Sequence, residues 1–168
     1  MRSLSACRVF TLSVPPIPHG VITVDNTGTI TDVSDGAADQ TETLKAEQHE
    51  GILVPGFVNC HCHLELSHLR GLIPEHRGIV YFIGEINRRR DVSAEEIRRA
   101  VAEAEQEMVL AGTVAAGDIS NNSLTAPLKI NSPIVWYTFV EVFGFHPSRA
   151  EKAMASALQV KHTFDKLR

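Results

Sequence analysis

His61 and His63 stand two residues apart directly after an apolar pair, Phe57-Val58, with Cys60 and Cys62 before and between them. Side chains alternate faces along an extended strand, so both imidazoles project the same way and two nitrogen donors can share one metal ion. The cysteines then face the opposite side. That argues against all four residues closing on a single zinc. An H-x-H pair arises often by chance, and position is what gives this one weight. In parallel α/β folds functional groups gather at the C-terminal ends of strands, and the pair follows such an end.

Further titratable residues lie nearby in sequence or at comparable strand ends. Glu65 follows the histidines and has two readings, a carboxylate that lines the site or orients a histidine, and a solvated loop residue. His68 is a candidate substrate contact, against the simpler reading of an exposed loop histidine. Asp118 closes the second apolar run; it either hydrogen-bonds a histidine or caps the following turn. Glu141 closes the third run, where it would face a pocket, so it is a candidate for substrate binding or catalysis. His146, in the loop beyond, reads as structural.

The elements that must carry these residues follow from patterning. Arg8 to Val14 and Val21 to Val24 read as strands, and Pro15-Pro16-Ile17-Pro18 between them lacks ladder donors and reads as a loop. Asp25-Asn26-Thr27-Gly28 followed by Thr29 to Val33 signals a hairpin. Asp35 to Glu50 is polar and aperiodic, a loop with at most an edge strand. Ile52-Leu53-Val54 and Phe57-Val58, broken by Pro55-Gly56, read as one buried strand entered through a kink.

Beyond a mixed stretch from Ile79 to Ile86, Ser93 with Glu96 forms a capping box ahead of a helix. Ile97, Val101, Ala104, Met108 and Ala111 line one face of it, and Gly112 is placed to end it. Thr113 to Gly117 and Ile134 to Val142 read as buried strands. Ala150, Met154, Ala157, Leu158, Lys161 and Phe164 trace a last amphipathic helix. Strands alternating with helices predict parallel βαβ units behind a small β domain.

Composition limits the partners. The 168 residues are 43% hydrophobic, 21% charged and 6% aromatic with a net charge of -4, ordinary for a globular chain and offering no general attraction to phosphate backbones or anionic lipid. Arg88-Arg89-Arg90 lacks interleaved aromatics and is followed by acidic residues, so it reads as a solvated face rather than a nucleic-acid site. The proline-rich Val14 to Pro18 fits a connection better than a polyproline ligand. No apolar run approaches the roughly 20 residues that span a bilayer. Three cysteines, two of them one residue apart, make a poor disulfide framework, and Met1 to Val14 lacks the apolar core of a signal peptide. The expected setting is the cytoplasm.

The segment Leu53-Val54-Pro55-Gly56-Phe57-Val58-Asn59-Cys60-His61-Cys62-His63-Leu64-Glu65 resembles the signature of the amidohydrolase superfamily, and Leu66-Ser67-His68-Leu69-Arg70-Gly71 extends it toward the cytosine deaminase, chlorohydrolase and aminodeoxyfutalosine deaminase-like branch. Gly112 to Asn121 is similar to that branch's second barrel strand and Phe139 to Gly144 to its third. The resemblance implies an α/β fold, a partial TIM (β/α)8-like barrel of about three units over 52–168, preceded by a small, incomplete β-sandwich segment over 1–51. It implies one divalent metal ion, zinc or iron, on His61 and His63, and a small-molecule substrate, heterocyclic or nucleoside-like, hydrolysed at a C–N or C–Cl bond.

A complete barrel takes roughly 250 residues, and the family's later histidine, aspartate and proton-shuttling glutamate have no counterpart here. The expectation is therefore a chain inactive alone, a fragment that pairs with a complementary barrel fragment or forms a homo-oligomer. Two other classes stand beside it: a non-catalytic interaction module, and a small zinc module using Cys60, His61, Cys62 and His63.

Overall fold

Ser5, Ala6 and Val9 are the buried residues of the first strand, β1 (Arg2–Val9), in the computed structural model, which describes residues 1–36, 44–90, 92–144 and 146–166. The strand therefore lies earlier than the expected Arg8 to Val14. Serines at inward positions hide the apolar alternation, and the Ser5 hydroxyl is satisfied by the His19 carbonyl at 3.4 Å. Leu12, with φ 65°, instead turns the chain. β2 (Ile17–Pro18) pairs antiparallel with Arg8 and Val9, so half of the expected proline loop is a short edge strand, a position that tolerates a missing donor.

β3 (Val21–Val24) and β4 (Ile30–Ser34) form the expected hairpin. The Asp25 carboxylate accepts from the Thr27 and Thr29 amides at 2.8 and 3.0 Å, and Gly28 takes φ 86°. β5 (Glu47–Leu53) joins β1 in parallel. Part of the expected loop over Asp35 to Glu50, residues 37–43, lies outside the described residues.

The chain divides into two compact units, Met1–Pro55 and Gly56–Arg168. The division falls beyond the expected 51/52 boundary because Ile52 and Leu53 pair with Arg8 and Val9 of β1. The single kinked strand expected over Ile52 to Val58 is thus two strands of two sheets. Pro55 and Gly56 separate them: a Cβ on Gly56 would lie 2.3 Å from Cγ1 of Val114, so only glycine passes there.

In the second unit β6 (Phe57–Cys62), β7 (Thr113–Ser120) and β8 (Val135–Val140) form a parallel sheet in sequence order, and helices pack on one face of it. α1 (Ile79–Arg89) arises from the stretch read as mixed, with Gly78 at its start. α2 (Ala94–Leu110) begins where the Ser93 hydroxyl accepts from the Glu96 amide at 3.1 Å. Ile97 and Val101 of α2 form a core with Leu64, flanked by Leu128 and Trp136. Gly112, at φ 82°, ends the helix, and its carbonyl accepts from the Phe57 amide at 2.9 Å. α3 (Ala126–Ile130) links β7 to β8, and α4 (Ala150–Asp165) follows β8.

Register puts Ala116, Asp118 and Ser120 of β7 beside Trp136, Thr138 and Val140 on the helix side. On the other face Val135, Tyr137 and Phe139 are exposed. The basic run is spent locally, since Arg88 and Arg89 bond Glu85 and Arg90 bonds Asn121. No helix among the described residues is long and apolar enough to cross a membrane.

Gly112→Ala is expected to lower stability by about 1 kcal/mol, because alanine is strained at positive φ, and Ser93→Ala by about 1 kcal/mol through loss of the cap; urea unfolding measures both. Hydrogen bonds from Arg89 and Arg88 hold the Glu85 carboxyl below its ordinary value. Its contribution to stability is present above the ordinary carboxylate range and lost as pH falls through the lowered value. Glu85→Gln should flatten that part of the acid limb in a pH series of unfolding midpoints.

Candidate metal centre

β6 reaches its C-terminal end with a local irregularity that aims the histidines. Asn59 pairs with Ala116 but Cys62 with Asp118, so β6 carries an extra residue where β7 has none. A bulge of this kind bends its strand and redirects side chains. Gly117 makes room for it, since a Cβ there would lie 2.7 Å from the Cys60 carbonyl oxygen. The His61 and His63 rings consequently meet edge to face, centroids 5.2 Å apart and planes at 73°. His61 is exposed and His63 half-buried, and neither ring has a hydrogen-bond partner among the described residues.

The cysteines do not join them. Cys60 is exposed, and the Cys62 thiol turns to Asp118, Sγ to Oδ1 3.7 Å. Burial foremost, then the neighbouring Asp118 carboxylate, pushes that thiol up to about 11. Among the described residues no group of three metal-capable side chains assembles, so the donor set is the two imidazoles alone. They fit two of the three protein positions of a catalytic zinc site.

Asp118 is fully buried and organises the strand ends. Oδ1 accepts from the Leu64 amide at 2.8 Å, and Oδ2 from the Ser120 hydroxyl at 2.8 Å and from the Lys129 ammonium. Lys129, itself nearly buried, also donates to the Thr138 hydroxyl at 2.8 Å. Its Nζ lies 5.2 Å from the Trp136 ring centre and 4.9 Å from that of Phe164. A cavity of about 490 Å³ opens beside it, bounded by β8 and α4. Of the two sequence readings of Asp118, neither is what forms: it bonds the backbone beside His63 rather than a ring. Sequence reading missed Lys129 entirely, because nothing in its neighbourhood marks a lysine that turns inward.

Glu65 is buried, and one oxygen accepts from the amides of Asn121 and Asn122 at 3.0 and 3.1 Å. Burial foremost raises its pKa, against those two hydrogen bonds and the charge of Arg90. It therefore ties the turn after β6 to the end of β7. His68 is half-buried, with Nδ1 3.1 Å from the Glu65 carbonyl and Nε2 buried without a partner among the described residues. Glu141 is exposed just past β8 and accepts from the Asn121 side-chain amide at 2.9 Å. Asn121, whose Oδ1 also accepts from Arg90 at 3.0 Å, is a second hub that no sequence signal singled out. His146 is exposed and contacts Ser148 at 2.8 Å.

No family model and no curated protein sequence matches the chain. Solved structures do. The chain is similar to aminofutalosine deaminase of Helicobacter pylori in complex with methylthio-coformycin, with a TM-score of 0.72 and 17% identity over 96% of this chain and 41% of that one. It is similar to guanine deaminase from C. acetobutylicum with bound guanine, with a TM-score of 0.70 and 13% identity over 95% of this chain and 42% of that one. Atrazine chlorohydrolase from Arthrobacter aurescens complexed with zinc gives a TM-score of 0.66 and 19% identity over 88% of this chain and 37% of that one.

The fold is thus that of an α/β amidohydrolase, and the likeness read from Pro55 to His63 holds at that level. The chain spans about two-fifths of the length of these neighbours.

Glu65→Ala is expected to cost about 3 kcal/mol, because two backbone donors lose their acceptor; Glu65→Gln keeps an acceptor and should cost less. Denaturant unfolding of the two variants distinguishes them.

Proposed function

We propose that this chain carries the first pair of metal ligands of a hydrolase acting on non-peptide C–N bonds, of deaminase or chlorohydrolase type. One observation carries the reading: His61 and His63 share one side of a parallel strand's C-terminal end, rings in contact and nitrogens unclaimed. The similar structures are deaminases and a chlorohydrolase, one holding guanine and one zinc. The substrate proposed for this chain is accordingly a small heterocyclic or nucleoside-like molecule. Met1–Pro55 is read as the incomplete β-sandwich segment and Gly56–Arg168 as the first three units of the barrel.

His61 and His63 would hold one divalent cation, zinc or iron. When bound, such a cation supplies Lewis acidity and lowers the pKa of water, so that a nucleophile exists near neutral pH. The chain's own residues supply position. The bulge of β6 and the close approach at Gly117 aim the two rings. Glu141, exposed beyond β8 and oriented by Asn121, is the carboxylate offered to a substrate. Glu65 holds the turn that follows the histidines to the end of β7, and His68 is a substrate contact. The remaining ligands and the proton-shuttling carboxylate are assigned to a complementary barrel segment. The chain alone is then inactive. A reducing, cytoplasmic setting suits its free thiols.

Zinc titration of the purified chain, followed through the histidine ring signals by NMR, tests this. His61 and His63 should shift together, and His61→Ala or His63→Ala should weaken zinc binding at least about tenfold, as removal of a ligand from a site already short of one requires. Unchanged zinc affinity in the double variant would overturn the assignment, and sulfur coordination in an X-ray absorption spectrum would transfer it to the cysteines.

A further inference from the structure

We infer that Lys129 and Asp118 form a positioning device for the histidine pair, in which the lysine fixes a carboxylate that in turn fixes the backbone beside His63. This rests on the reading of His61 and His63 as metal ligands.

The connectivity is continuous across three strands. Oδ1 of Asp118 accepts from the amide of Leu64, the residue after His63, and receives the thiol of Cys62, the residue before it. One carboxylate oxygen thus holds the chain on both sides of a single histidine. The other oxygen takes Ser120 and Lys129. Lys129 is anchored separately by the Thr138 hydroxyl of β8 and lies against Trp136 and against Phe164 of α4. The last helix therefore reaches the metal pair through two side chains.

Side-chain charge makes the link directional. A buried carboxylate deprived of its ammonium partner is an uncompensated charge that draws in water. A cavity of about 490 Å³ opens beside Lys129. Water drawn to Asp118 loosens the acceptor of the Leu64 amide, and His63 loses its fixed backbone. A site with two protein ligands has no third to restore the geometry, so the loss appears as reduced metal affinity. Partners that orient metal ligands contribute about 10- to 100-fold in affinity in known sites.

Three variants of the full chain test this: Lys129→Met, the milder Thr138→Val, and Ser93→Ala as a destabilising cap substitution outside the network. The contact between the His61 and His63 rings is read from their inter-ring NOE in zinc-free protein, and zinc affinity from the ring signals. Lys129→Met should lose the NOE and bind zinc about tenfold more weakly. Thr138→Val should move both in the same direction by less, and it carries the test if Lys129→Met does not fold. Ser93→Ala, destabilised but with the network intact, should leave both unchanged.

The inference is overturned if the folded lysine or threonine variant keeps the NOE and a zinc affinity within about twofold of the parent, or if Ser93→Ala produces the same losses. Failure of the metal reading looks different: the parent shows the NOE while its ring signals ignore zinc, and the NOE comparison still decides the positioning role.

Discussion

A carboxylate with no exposure to water sits on the middle strand of the parallel sheet, and the arrangement around it depends on its charge being met. Asp118 is buried because β7 alternates and its even-numbered residues face the helices. Taking an ionised group out of water costs several kcal/mol unless opposite charge and hydrogen bonds replace the lost hydration. Here Lys129, Ser120 and the Leu64 amide do so. Because these partners come from α3, from β7 itself and from the turn after β6, satisfying one charge joins elements that the sheet ladder alone would leave independently adjustable.

The consequence for the site is a turn whose backbone is held immediately beside the two imidazoles. Glu65 and Asn121 repeat the device one layer out, tying the same turn to the ends of β7 and β8. Strand ends are where a parallel sheet leaves backbone donors unpaired, and side chains placed to accept from them convert a loop into a platform. The opposite face of the sheet carries Val135, Tyr137 and Phe139 in the open. One-sided helix cover is unusual for parallel strands, which normally bury both faces.

Local physics made parts of this legible. The Ser93 cap, the Gly112 stop and the Asp25 to Gly28 turn each depend on residues within a few positions of one another, and each forms where the spacing puts it. The alternation that brings His61 and His63 to one side is equally local. What misled was polarity at inward positions. Ser3 and Ser5 disguise β1, and the carboxylate of Glu85, held by two arginines, disguises α1 as mixed sequence. Ile52-Leu53 and Phe57-Val58 look continuous in sequence, and only the partners they pair with reveal two sheets.

By itself the sequence determined which residues could ligate, which way they point along a strand, and where helices start and stop, since these follow from covalent spacing and backbone hydrogen bonding over a turn or two. Tertiary structure alone decided that Cys62 turns from the histidines to Asp118, that Lys129 goes inward, and that Glu65 serves the backbone rather than the open rim. Those outcomes depend on desolvation and on partners 11 to 57 residues away. The free energy of burying a charge is set by whatever the fold brings within reach of it, which one-dimensional spacing does not encode.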